Sequence, residues 1–121
     1  MSKHRQEKVA SEILRTLSTA LFEDVHDPRV LDITLTDVRV SSDLSIASVR
    51  YLCPKDVDRS EVEAGLEKVK PFLRSVLGEH LALRRVPNLN FYYDDAFEKG
   101  AEISNLLARL RAEGQMGHDD V

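Results

Sequence analysis

The chain has 121 residues, of which 42% are hydrophobic and 31% charged, and its formal net charge is −4. That length suits a single domain able to bury a core without disulfides or metal, and the composition is that of an ordinary globular protein rather than a disordered, fibrous or membrane-embedded one. An acidic balance also argues against indiscriminate nucleic-acid binding, because phosphate affinity depends on cations that displace counterions. Cys53 is the only cysteine, so no internal disulfide or cysteine-based zinc cluster can form within one chain. The start, MSKHRQEKVASEIL, lacks the apolar run and cleavage site of a signal peptide, and no segment approaches membrane-spanning length. A cytoplasmic location without membrane contact is the expectation.

Val9, Ile13, Leu17, Ala20 and Leu21 recur at helical spacing, which predicts an amphipathic helix from about Arg5 to Phe22 with Arg5, Lys8, Glu12 and Arg15 on its polar side. Glu23 to Arg29 reads as a loop, since Pro28 biases Asp27 away from helix; Arg29 either reaches an anion or pairs with Asp27, and the pairing is the better explanation. Ile33 to Val40 is a strand whose apolar phase changes midway. That predicts a bulge near Thr36 and Asp37, or burial on both faces. Ser41-Ser42-Asp43 turns the chain, and Leu44 to Cys53 returns as a second strand with Ala47, Val49 and Tyr51 on one face.

The most informative stretch is Ser60 to Asp94. Ser60 followed by Glu63 has the spacing of a capping box, and Val62, Leu66, Val69, Leu73, Val76 and Leu77 form an apolar stripe flanked by Lys68, Lys70 and Arg74. Pro71 lacks an amide hydrogen and disfavours helix at Lys70, so two helices joined by a kink are predicted, the second starting at Pro71 and stopped by Gly78. The donors of that second helix can face a phosphate, or can simply be satisfied by water at a bend around the core. A basic turn at Arg84 and Arg85 leads to a third strand with Leu89, Phe91 and Tyr93 on one face and Asn90 and Tyr92 on the other. Tyr92 can stack on a base or pack beneath a helix. Asp94 and Asp95 precede Ile103, Leu106, Leu107 and Leu110 at helical spacing and read as caps of a last helical segment. From Ala112 the chain is polar, so a domain over residues 1–111 and a flexible tail over 112–121 are expected.

Charge is unevenly placed. Lys68, Lys70, Arg74, Arg84 and Arg85 outweigh the neighbouring acids, as Lys3, Arg5, Lys8 and Arg15 do in the first helix, while Glu23, Asp24, Asp27, Asp32, Asp37 and Asp43 lie between. Two basic segments on an acidic protein suggest one anion-facing surface if the fold unites them. Catalytic chemistry is not visible. His4, His26, His80 and His118 are scattered without the spacing of a helical zinc motif, Asp94 and Asp95 are mere sequence neighbours, and Gly114 to Gly117 opens no helix. No catalytic residue, cofactor or metal is expected.

The order α-β-β-α-α-β, with every apolar stripe directed inward, gives a two-layer α+β domain, the order of the type II KH fold that binds single-stranded RNA. The residues extend the likeness. Arg5-x-x-Lys8-Val9-Ala10-x-x-Ile13, Asp27-Pro28-Arg29, Ser42-Asp43-Leu44 with Ala47, Phe72-Leu73-Arg74 and Leu83-Arg84-x-x-Pro87-x-Leu89-x-Phe91-x-x-Asp94 together resemble ribosome-binding factor A over about Arg5 to Leu107.

The resemblance implies a non-catalytic bacterial factor that binds the small (30S) ribosomal subunit through 16S rRNA, assists late rRNA processing and matters most in the cold. On that reading the two basic segments form the docking face: phosphate or ribose contacts are expected from Arg5, Lys8, Arg15, Lys68, Lys70, Pro71, Arg74, Arg84 and Arg85, and the protein is expected to act as a monomer. Where the family has an Ala-x-Gly kink this chain has Val69-Lys70-Pro71. Proline keeps a bend but denies close backbone approach, so Lys70 would supply a side-chain contact instead. Replacing Lys70 and Arg74 by Ala is then expected to weaken binding at unchanged stability. The alternative is a KH-like interaction module that meets a ribosomal protein or a maturation GTPase through its acidic middle and tail.

Overall fold

A computed structural model describes residues 3–118. The chain forms α1 (Lys3–Glu23), a single 3-10 turn (Pro28–Val30), β1 (Thr34–Val40), β2 (Ile46–Leu52), α2 (Arg59–His80), β3 (Asn88–Tyr93) and α3 (Ala96–His118). The sheet is ordered β1-β2-β3; β1 and β2 pair antiparallel, while β3 lies parallel to β2. Parallel neighbours need a long crossover, and α2 supplies it. α1 packs on β1, and α2 packs on α1 and β3, so both helices cover one face of the sheet and the architecture is the expected α+β, two-layer one.

The inward stripes meet as the spacing predicts. Ile13, Leu17, Leu66, Leu73 and Leu77 are at most 1% exposed, against Ala47, Val49, Tyr51 and Leu89 from the sheet. Each large apolar side chain removed from water in this way contributes roughly 1.5–3 kcal/mol. The expected bulge is present: Leu35 pairs with Tyr51 and Asp37 with Arg50, leaving Thr36 extra. The slip is what lets Leu35 and Val38, three residues apart, both point into the core.

Four local readings are corrected. The predicted pair of helices is one continuous α2, with Pro71 inside it. Proline removes one intrahelical donor, but Val62, Leu66, Leu73 and Leu77 are buried on both sides of it, and that packing outweighs the local cost. The helix passes through Gly78 and ends at His80, with the Leu81 N–H bonded to the Leu77 carbonyl. Its N-cap is Asp58 rather than Ser60: the Asp58 carboxylate accepts from the Ser60 N–H at 2.9 Å and from its hydroxyl at 2.7 Å, because a carboxylate two residues earlier reaches the same orphan donors. Finally, β2 begins at Ile46, and Leu44 takes a left-handed backbone (φ 61°) in the turn before it.

At the other end of the sheet Asp94 caps α3, accepting from the Ala96 N–H at 3.0 Å and from the Thr36 hydroxyl at 2.6 Å. α3 runs past position 112 to His118, so the first part of the expected tail is helical; Asp119 to Val121 lie outside the described residues.

Candidate nucleic-acid interface

One end of the sheet gathers the starts of α1 and β3 and the end of α2. The Gln6 side-chain amide donates to the Val40 carbonyl at 3.1 Å, tying the first turns of α1 to the end of β1. Val40 pairs with Ala47, and Ile46 pairs with Asn88, so the starts of β2 and β3 share that end. Arg5 and Lys8 are exposed on α1 there, and Arg84 and Arg85 are exposed on the loop that enters β3. The fold therefore brings cations from the two basic segments to the same end of the molecule.

Arg74 has a different task. Its half-buried guanidinium donates to the Val86 carbonyl at 3.1 Å and the Pro87 carbonyl at 3.2 Å, which anchors the Arg84–Arg85 loop to α2. Charged hydrogen bonds of this kind are worth about 1.5–3 kcal/mol, so Arg74 positions the loop before it can serve any ligand. The expectation that Arg74 is dispensable for stability is thereby revised. Lys70, Pro71 and Arg74 line a shallow groove of about 380 Å³ with Ile46, Asn88, Leu89 and Asn90. Lys70 lies 2.8 Å from Glu67, a pair from which an incoming phosphate can draw the ammonium because Glu67 is largely exposed.

Lys68 and Arg15 stand apart from that groove. Lys68 lines another concavity, about 510 Å³, on the opposite flank of α2 with Asp24 to Arg29, Val69 and Phe72. Its carboxylates Asp24 and Asp27 are balanced by Arg29 and Lys68. The Arg29 guanidinium binds Asp27 at 2.7 and 3.0 Å and, with the Arg29 backbone N–H, holds that carboxyl at a pKa of about 2, to which the charge of Lys68 adds. Arg29 thus pairs with Asp27, as the sequence suggests. Arg15 is exposed midway along α1.

The sheet face without helices carries residues that the charge count missed. With Val49 and Tyr51 buried, Arg50 between them is exposed, and it is in register with Tyr92 of β3, which is 48% exposed. Tyr92 therefore does not pack beneath a helix. Arg39 on β1 is also exposed, though held 3.2 Å from Asp37. The strict alternation of β2 was the available signal, since inward Ala47, Val49 and Tyr51 oblige Ser48 and Arg50 to face out. Among the described residues no group of three His, Cys, Asp or Glu side chains could hold a metal, and no helix is long and apolar enough to cross a membrane. Burial raises the pKa of the Cys53 thiol, opposite to what an activated nucleophile needs.

Comparison with known proteins decides the family. The family described as Ribosome-binding factor A matches residues 5–107. The chain belongs to the ribosome-binding factor A family. Ribosome-binding factor A of Streptococcus mutans is 41% identical over 112 residues, covering 91% of this chain and 97% of the relative. That of Lactobacillus delbrueckii subsp. bulgaricus is also 41% identical, over 115 residues, covering 93% and 96%. Among solved structures of ribosome-binding factor A, the Thermus thermophilus crystal structure superposes with a TM-score of 0.67 at 24% identity, over 73% of this chain and 93% of the other. A solution structure from Thermotoga maritima gives 0.66 at 28% identity, over 76% and 89%. A homology model of the Thermus thermophilus factor, fitted into the cryo-EM map of its complex with the 30S subunit, gives 0.59 at 27% identity, over 71% and 91%.

Proposed function

We propose that this protein is a non-catalytic, cytoplasmic ribosome biogenesis factor that binds the small ribosomal subunit through 16S rRNA and assists late rRNA processing and maturation, with a role that grows in the cold. The observation that carries the reading is that the start of α1, with Arg5 and Lys8, and the loop into β3, with Arg84 and Arg85, lie at the same end of the sheet in a molecule of net charge −4. Phosphates are the ligands such an end prefers. Lys70 and Pro71, in the groove between α2 and β3, give a KH-like module its strand-binding cleft, with Asn88 and Asn90 as amide partners for bases or ribose. Arg74 acts by holding the cationic loop, whereas Lys68 and Arg15 add to the general field. Residues 1–111 form the binding domain. Contacts of this kind position the protein, and its specificity comes from the shape of the folded rRNA site.

A protein-interaction reading has one observation in its favour. Phe22 is 89% and Leu31 56% exposed beside the acidic loop, a surface suited to a ribosomal protein or a maturation GTPase. Co-sedimentation with purified small and large subunits at two salt concentrations separates the readings. Binding to the small subunit alone, weakened steeply by salt and reproduced by isolated 16S rRNA, supports the RNA interface. Binding that ignores salt and needs ribosomal proteins supports the apolar surface instead.

A further inference from the structure

The sheet face turned away from the helices continues from the groove. Asn88 and Asn90, which line the groove with Lys70 and Pro71, belong to the outward row of β3, and Tyr92 is the next residue in that row. Each step along the row covers about 6.6 Å. On β2, Ile46, Ser48 and Arg50 run alongside, in register with Asn88, Asn90 and Tyr92. An RNA strand that leaves the groove over Asn90 therefore meets the ring of Tyr92, with Arg50 on the neighbouring strand.

The chain has three tyrosines, and two are committed to the fold. Tyr51 is 1% exposed and meets Tyr93 edge to face at 5.8 Å. Tyr93 also has the Arg59 guanidinium 4.3 Å from its ring centre and donates its hydroxyl to Glu98 at 2.8 Å. Tyr92 has no such partner among the described residues and is 48% exposed. Arg50 is likewise without an ion pair among the described residues. The acids near it are occupied: Asp37 is held by Arg39 at 3.2 Å, and Asp94 accepts from the Thr36 hydroxyl and the Ala96 N–H. Those two hydrogen bonds lower the Asp94 pKa, and Arg50 adds to this by its charge alone.

We infer that Tyr92 stacks on one unpaired base of the bound RNA while Arg50 holds an adjoining phosphate, a nucleotide subsite outside the groove. This rests on the RNA reading above and extends it to the helix-free face. An exposed ring beside an uncommitted cation suits a base and its phosphate, whatever the base, because every base has a π-face. The same face suits a protein poorly. Between Ile46 and Leu52 at the two ends of β2 its side chains are mainly polar, and it lacks the apolar centre of a protein interface.

Binding of the full chain to isolated 16S rRNA, measured at several salt concentrations, tests the subsite. Tyr92→Val keeps a β-branched residue suited to the strand but has no ring, and it should weaken binding by about tenfold, the loss of one stack. Tyr92→Phe keeps the ring and should bind as the wild type does. Arg50→Gln should also weaken binding and make the salt slope shallower by about 0.7, the value for one single-strand phosphate. Thermal midpoints verify that each variant is folded, and Arg50→Gln tests the subsite without touching the ring. Wild-type affinity and slope in Tyr92→Val and Arg50→Gln overturn the subsite and leave the RNA reading standing. Equal losses in Tyr92→Phe and Tyr92→Val overturn it too, since stacking does not need the hydroxyl. Weaker binding to small subunits with unchanged binding to isolated 16S rRNA assigns the face to a ribosomal protein and overturns it as well. A wild-type chain that does not bind 16S rRNA removes the subsite together with the reading it rests on.

Discussion

Arg74 shows how a charge that looks free in the sequence can be committed in the fold. Its two carbonyl partners lie 12 and 13 residues away, across a loop of no regular period, so no local pattern identifies them. Arg74→Ala should lower stability by about 1–3 kcal/mol in a urea titration, whereas Lys70→Ala, which loses only an exposed contact to Glu67, should change it by less than about 0.5 kcal/mol. Asp43 is a second such residue. Its carboxylate accepts from the Ser41 and Ser45 hydroxyls, at 2.8 Å each, and from the Ser45 N–H at 3.1 Å, and these bonds fix the turn that holds Leu44 in its left-handed conformation. They also depress the Asp43 pKa to about 2, as Arg29 does for Asp27. Because both folded values lie below the unfolded value of about 3.9, the stabilisation is complete above that pH and is lost as pH falls toward 2. Urea midpoints should therefore decline between about pH 4 and pH 2, and Asp43→Asn should reduce both the neutral-pH stability and the steepness of that decline.

At the scale of elements, packing decided what local chemistry left open. The stripe from Val62 to Leu77 made α2 readable, but the rule that proline breaks a helix misjudged Pro71, since the break it favours would strand half of a buried face. The N-cap was misplaced for a related reason, because Asp58 and Ser60 are both good caps and only the geometry of the start chooses between them. The two glycines of α2 differ in the same way. A Cβ on Gly65 would stand 2.9 Å from Val30 Cγ1 and 3.0 Å from Arg29 Cβ, so this glycine lets the turn at Pro28–Val30 touch α2. On Gly78 it would meet Val86 Cγ2 at an ordinary 3.4 Å. Gly65→Ala should cost about 1–3 kcal/mol by overpacking, while Gly78→Ala should be neutral or stabilising by up to about 1 kcal/mol through helix propensity. Thermal unfolding of the two variants checks the contrast.

In the whole molecule, the two-layer α+β arrangement and the bulge in β1 were legible because periodicity reports which side of an element is buried. Which faces share an end of the sheet is a matter of topology, carried by pairings such as Ile46 with Asn88 that no single segment encodes. Hence the nine candidate contacts, which looked alike as charges along the chain, divide into an end cluster, a groove, an anchor and two outlying cations. The split makes the RNA-binding account specific. Arg84 and Arg85 have no structural task of the kind Arg74 performs, yet they stand on the loop it fixes. The most direct test is the salt dependence of binding to small subunits and to isolated 16S rRNA for the wild-type chain and an Arg84→Ala/Arg85→Ala variant. The account predicts weaker binding with a salt slope shallower by roughly 0.7–0.9 for each phosphate contact removed, at an unchanged thermal midpoint. Wild-type affinity and slope in the variant would contradict it and place the contact surface elsewhere on the molecule.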